Sequence, residues 1–116
     1  MEKFSLTALA RLQLETARRT SNGRGSKTVY GGHEHVLRQT VVAMVAGSEM
    51  KEHENLDEST VYVFEGRVNL VAGDVSWNGS PGDLLIVPTS RHSLQAIEDS
   101  VVLLTVAKLP KGPATK

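Results

Sequence analysis

Apolar and polar positions alternate with two different periods along this chain, and the change comes near residue 27. In residues 5–19, SLTALARLQLETARR, the apolar Leu6, Ala10, Leu14 and Ala17 recur near helical spacing. That spacing predicts an amphipathic helix, with Ser5 or Thr7 available to cap its start. The stripe is narrow and rich in Ala, so the helix is expected to pack on a larger body or on a partner subunit. Residues 20–26, TSNGRGS, form a turn-rich connector. Arg18, Arg19, Arg24 and Lys27 make a mild basic cluster around it, too short to argue for nucleic acid and better read as a solvated linker.

Beyond Lys27 the period shortens towards two. Thr28, Val29 and Tyr30 predict a short strand broken by Gly31 and Gly32. Residues 35–47, HVLRQTVVAMVAG, are too rich in valine for a comfortable helix. Strand alternation puts Arg38 and Thr40 on one face and Gln39 on the other. Residues 60–64, TVYVF, alternate cleanly, and RVNLVAG follows. The segment DVSWNGSPGD carries Asn-Gly and Pro-Gly turn signals around Trp77. LLIVP, residues 84–88, predicts a strand buried along its whole length; HSLQAI and VVLLTVAKL predict the last two. Short strands punctuated by glycine and proline point to an all-β sandwich or barrel. The expected organisation is a helix and linker over residues 1–26, a barrel over 27–109 and a flexible tail over 110–116.

Composition narrows the partners. At 116 residues the chain fits one domain, and 13 basic residues balance 13 acidic ones. A net charge of zero gives no electrostatic reason to expect nucleic acid or an anionic membrane, and leaves little self-repulsion against oligomerisation. Zero cysteines exclude disulfides, thiolate metal sites and cysteine nucleophiles, which fits a cytoplasmic protein. The first residues lack the apolar core of a secretion signal. No apolar run approaches the roughly 18 residues of a membrane helix. Dinucleotide-binding glycine motifs, a P-loop and a nucleophile elbow are all missing.

Two glycine-to-histidine stretches carry the functional argument. In GSEMKEHENLDESTVYVFEG, Gly47 is followed by five residues and His53, and Gly66 closes the stretch. In GDLLIVPTSRHSL, Gly82 is followed by five residues and Pro88, and then by His92. These spacings resemble the two motifs of the cupin family over about residues 28–107. The resemblance implies a double-stranded β-helix (jelly-roll) barrel with a short N-terminal helix, often a homodimer. It also implies a divalent transition metal (Fe, Mn, Ni, Cu or Zn) near the barrel axis. Known activities include dioxygenases, isomerases, epimerases, decarboxylases and non-catalytic binding or sensing proteins. This chain departs from the usual three histidines and one glutamate. The second His of the first motif is Asn55 and the Glu position falls on Ser59. In the second motif Ser90 stands for Gly, His92 comes one residue early, and Ala96 stands for Asn.

The expected ligand set is therefore His53, Asn55 and His92. Residues two apart on a strand face the same way, so His53 and Asn55 point together. Imidazole suits these metals, whereas an amide oxygen is a weak neutral ligand. Glu58 cannot replace Ser59 without a bulge, because a one-residue shift turns it to the opposite face. Two readings follow: a metal-dependent dioxygenase- or isomerase-like protein acting on a small organic molecule, or a metal-free binding or sensing barrel. His33 and His35 form a second His-x-His, at a Gly-Gly turn, expected near the barrel mouth, at a dimer interface or in solvent. For Arg38 or Gln39 an edge or interface salt bridge is the favoured expectation, with lining the cavity and binding an anionic ligand group as the alternative, and Tyr62, Phe64 and Trp77 are expected as core or dimer contacts.

Overall fold

In a computed structural model of the chain, which describes residues 1–52 and 57–108, one helix precedes nine strands. They are α1 (Leu6–Arg19), β1 (Arg24–Tyr30), β2 (Leu37–Met44), β3 (Glu49–Glu52), β4 (Glu58–Glu65), β5 (Val68–Ala72), β6 (Val75–Gly79), β7 (Leu84–Val87), β8 (His92–Ala96) and β9 (Ser100–Ala107). The strands pair antiparallel in two sheets, ordered β1-β2-β9-β4-β7 and β3-β8-β5-β6. Between the sheets lies a core of small branched side chains, among them Val42, Val61, Val63, Val68, Leu70, Leu94 and Val102, with Met44 fully buried. The scarcity of aromatics is thus matched by Val and Leu packing. Among the described residues no helix is long and apolar enough to cross a membrane.

The helix sits where its stripe predicts. Ser5 is the N-cap, its Oγ accepting from the Ala8 N–H at 3.2 Å. Arg18 and Arg19 in the last turn complement the helix dipole. Ala10, Leu14 and Ala17 are buried against Val41, Ala43 and Val101, the outward-facing residues of β2 and β9. The body it packs on is its own barrel, and its two small alanines let the backbone approach that sheet closely.

Three expectations shift. Residues 24–26 of the predicted connector belong to β1, because Arg24, Gly25 and Ser26 pair with Met44, Ala43 and Val42. The Asn78-Gly79 pair is strand and not turn: these residues pair with Asn69 and Val68, and the hairpin bends at Gly73-Asp74 instead. Glycine is required at 79 for closeness, since a Cβ there would meet the Val63 side chain at 2.9 Å. Finally, β7 is not buried along its length. Leu85 and Val87 face the core, while Leu84 and Ile86 are 58% and 62% exposed. A continuous apolar run reads as covered on both faces, but β7 is an edge strand whose outer face lies beyond the helix.

The end of the barrel near the helix C-terminus is tied by side chains. Asp99 accepts from the Ala46 N–H at 2.9 Å and from Arg18 Nη2 at 3.1 Å. Those two donors, the backbone amide first, hold its carboxyl below the usual aspartate range. Ser100, fully buried, accepts from the Arg67 N–H at 3.0 Å and lies 2.7 Å from the Glu98 carbonyl, to which it can donate.

Candidate functional site

At the opposite end the two sheets part around a cavity of about 50 Å³. Its walls are mostly apolar: Met50, Val61, Leu70, Val87, Leu94, Leu104 and Val106. Three polar side chains interrupt them, Arg38, Ser59 and His92. Strand parity explains all three. Arg38 of β2 and Ser59 of β4 both pair with Val106 of β9, so they share its inward face at one level of the barrel. Two strand spacings separate them, roughly 10 Å between backbones. His92 opens β8 on the facing sheet, where it pairs with Glu52 of β3.

Each of the three has hydrogen-bonding capacity to spare. Ser59 is 7% exposed, yet its hydroxyl has no hydrogen-bond partner among the described residues. Arg38, at the solvent-exposed mouth, likewise has no carboxylate or carbonyl partner among them. The His92 Nδ1 lies 2.9 Å from the Ser90 carbonyl oxygen. A carbonyl can only accept, so this contact keeps the proton on Nδ1 of the neutral ring and leaves the Nε2 lone pair available.

Of the sequence-predicted ligand set, His92 lines the cavity, while His53 and Asn55 lie outside the described residues. Ser59 occupies the inward position where the resemblance expects glutamate, and Glu58 stays on the exposed outer face. The register shift in β4 falls between Val63 and Glu65, too far along to turn Glu58 inward. Among the described residues, no group of three or more His, Cys, Asp or Glu gathers in a way that could hold a metal ion. These residues therefore do not complete a metal site by themselves.

Other candidates stand elsewhere. His35 lies against Tyr30, ring centroids 4.7 Å apart, and 3.6 Å from Glu34. With Tyr30, Leu37 and Gln39 it lines an open groove that includes Met1 and Phe4, separate from the cavity. His33 is exposed and lines neither. Gln39 faces outward and donates to the Thr105 hydroxyl at 3.3 Å. Tyr62 and Trp77 are 37% and 50% exposed, so neither is core, while Phe64 is partly buried beside the helix. Sequence reasoning treated Ser59 only as a missing glutamate. Alternation gave its face, and the pairing of both residues with Val106 puts it on one wall with Arg38.

No protein-family model matches the chain, and no curated protein matches its sequence. Solved structures do. A cupin superfamily protein from Desulfitobacterium hafniense superposes with a TM-score of 0.69 at 15% identity, covering 78% of this chain and 82% of that one. A cupin 2 conserved barrel domain protein from Salinispora arenicola gives a TM-score of 0.68 at 19% identity, covering 91% and 87%. A salicylate 1,2-dioxygenase from Pseudaminobacter salicylatoxidans gives 0.70 at 17% identity, covering 86% of this chain but 33% of the longer enzyme. At these identities the likeness is one of fold.

Proposed function

This chain has the fold of a small cupin-like barrel, and on that premise we propose that it binds a small organic molecule in the cavity between its sheets. The observation that carries the reading is the buried hydroxyl of Ser59, without a hydrogen-bond partner among the described residues, in a mostly apolar wall. Ligand sites are mostly apolar recesses with a few convergent polar groups. A polar group kept inside a barrel without a protein partner calls for one from outside. A thermal-shift screen of small organic molecules and divalent metals tests this. A ligand at about a hundredfold its dissociation constant is expected to raise the melting temperature by roughly 10 °C. Failure of every organic compound to stabilise the protein counts against the reading.

A second reading is favoured by the tautomer of His92. An imidazole whose Nδ1 is held by a carbonyl presents Nε2 as metal-ligating histidines do. Here His92 would hold a divalent transition metal together with His53 and Asn55. Such a metal would supply Lewis-acid polarisation for dioxygenase- or isomerase-like chemistry. Metal analysis of the protein as isolated separates the readings. Close to one equivalent of a first-row metal, lost in His92→Ala, supports the second; less than about a tenth of an equivalent, with no uptake on titration, sinks it.

The proposal extends to a homodimer. The exposed Tyr62, Leu84 and Ile86 share the outer face of β4 and β7, and a chain of zero net charge does not repel its copy. A cytoplasmic location, with no nucleic-acid or membrane partner, accords with the balanced charge and the absence of cysteine.

A further inference from the structure

Resting on the reading of the cavity as a ligand site, we propose that its ligand is a short aliphatic carboxylate, held between the guanidinium of Arg38 and the hydroxyl of Ser59.

Charge is the first argument. Of the described residues lining the cavity, Arg38 carries a permanent positive charge and none is a carboxylate. Arginine does not lose its proton in proteins. A guanidinium with no carboxylate among the described residues of its recess attracts an anion there and disfavours a cation. Its planar fork matches the two oxygens of a carboxylate.

The second argument is independent of charge. Ser59 is more than nine-tenths buried and has no hydrogen-bond partner among the described residues, although it lines the same recess. A buried donor left unmet is a standing penalty. An anionic oxygen lodged in the cavity removes it. Both residues sit opposite Val106, so fork and hydroxyl meet the ligand at one level of the barrel. Two strand spacings, roughly 10 Å, separate the two backbones, so one compact group between them can meet both side chains.

Size sets the rest of the class. A cavity of about 50 Å³ takes a carboxylate and one or two carbons. Benzene occupies a cavity of about 150 Å³, so an aromatic ring does not enter whole. The lining beyond the polar trio, Leu70, Leu94 and Leu104, suits a short alkyl tail.

An NMR titration of the whole chain with matched acid and amide pairs tests this: acetate against acetamide, propionate against propionamide, benzoate against benzamide. Acetate and propionate are expected to shift the resonances of Ser59, His92 and Val106, and to bind about tenfold or more tightly than their amides. Arg38→Gln, a change at the exposed mouth, should abolish that preference while leaving the amides where they were. Ser59→Ala should weaken the acids several-fold. Amides that bind the cavity as well as the acids overturn the carboxylate while the ligand site stands. Benzoate that binds there as tightly as acetate overturns the size class. If no probe perturbs the cavity residues, both this inference and the ligand-site reading fall.

Discussion

At Gly66 the backbone turns at φ 82°, and a Cβ would collide with the Asp99 carbonyl oxygen and the Ser100 hydroxyl. Gly47, which opens the same motif, has a comparable φ of 88° but nothing within 4 Å of its Cβ position. Two alanine substitutions therefore separate two costs. Gly47→Ala carries backbone strain alone, about 1–2 kcal/mol. Gly66→Ala adds a clash with a fully buried serine and is expected to cost about 3 kcal/mol or more. Urea denaturation of both variants checks the order; equal midpoints would show that the clash relaxes freely. The spacing of the two glycines was legible in the sequence, but which of them is sterically locked was not, because the Ser100 contact comes from the far end of the chain. Ser59 and Glu58 were legible in the same limited way. Alternation set their faces correctly, yet only the pairing of β2, β9 and β4 reveals that Arg38 shares the wall.

Among the elements, Asp99 does the most joining. It links Arg18 at the end of α1 to the Ala46 amide after β2, from the turn before β9. Its carboxyl is held below the ordinary aspartate value, first by the amide and then by the guanidinium. A depressed pKa contributes stability that is present above the unfolded value, near 3.8, and is lost as pH falls through the lower folded value. The group is partly exposed, so the ion-pair part is worth less than about 1 kcal/mol. Asp99→Asn should reduce stability slightly at pH 7, and the gap from wild type should narrow as the pH falls below about 4. Chemical denaturation at pH 7 and pH 3 measures this, and a gap that widens in acid refutes it. The helix itself was legible, its cap and stripe both falling where the spacing put them, since a helix face is written locally. β7 was not. Whether Leu84 and Ile86 are covered depends on how far α1 reaches across the sheet, and no local pattern encodes that. Likewise Asn78-Gly79 has the composition of a turn, and only its ladder partners make it strand.

Over the whole molecule, the five-stranded sheet is covered unevenly. α1 lies on β1 and β2 and the adjoining part of β9 and reaches Phe64 of β4, leaving bare the outer face of β7 and of β4 around Tyr62. There Tyr62 pairs across the strands with Leu84, and Thr60 with Ile86. If a second copy covers this face, Ile86→Glu should convert a dimer to a monomer while leaving the fold intact, because Ile86 faces away from the core. Light scattering coupled to gel filtration reads the mass directly, and a wild-type chain that is monomeric at high concentration ends the idea. β7 is also the last lane of its sheet, with one side of its backbone unmatched within that sheet. Bare lanes of this kind, when greasy, recruit stray chains into runaway cross-chain stacking. A barrel that docks its twin over Leu84 and Ile86 would shield that lane, so weakening the self-association should show first as turbidity on storage.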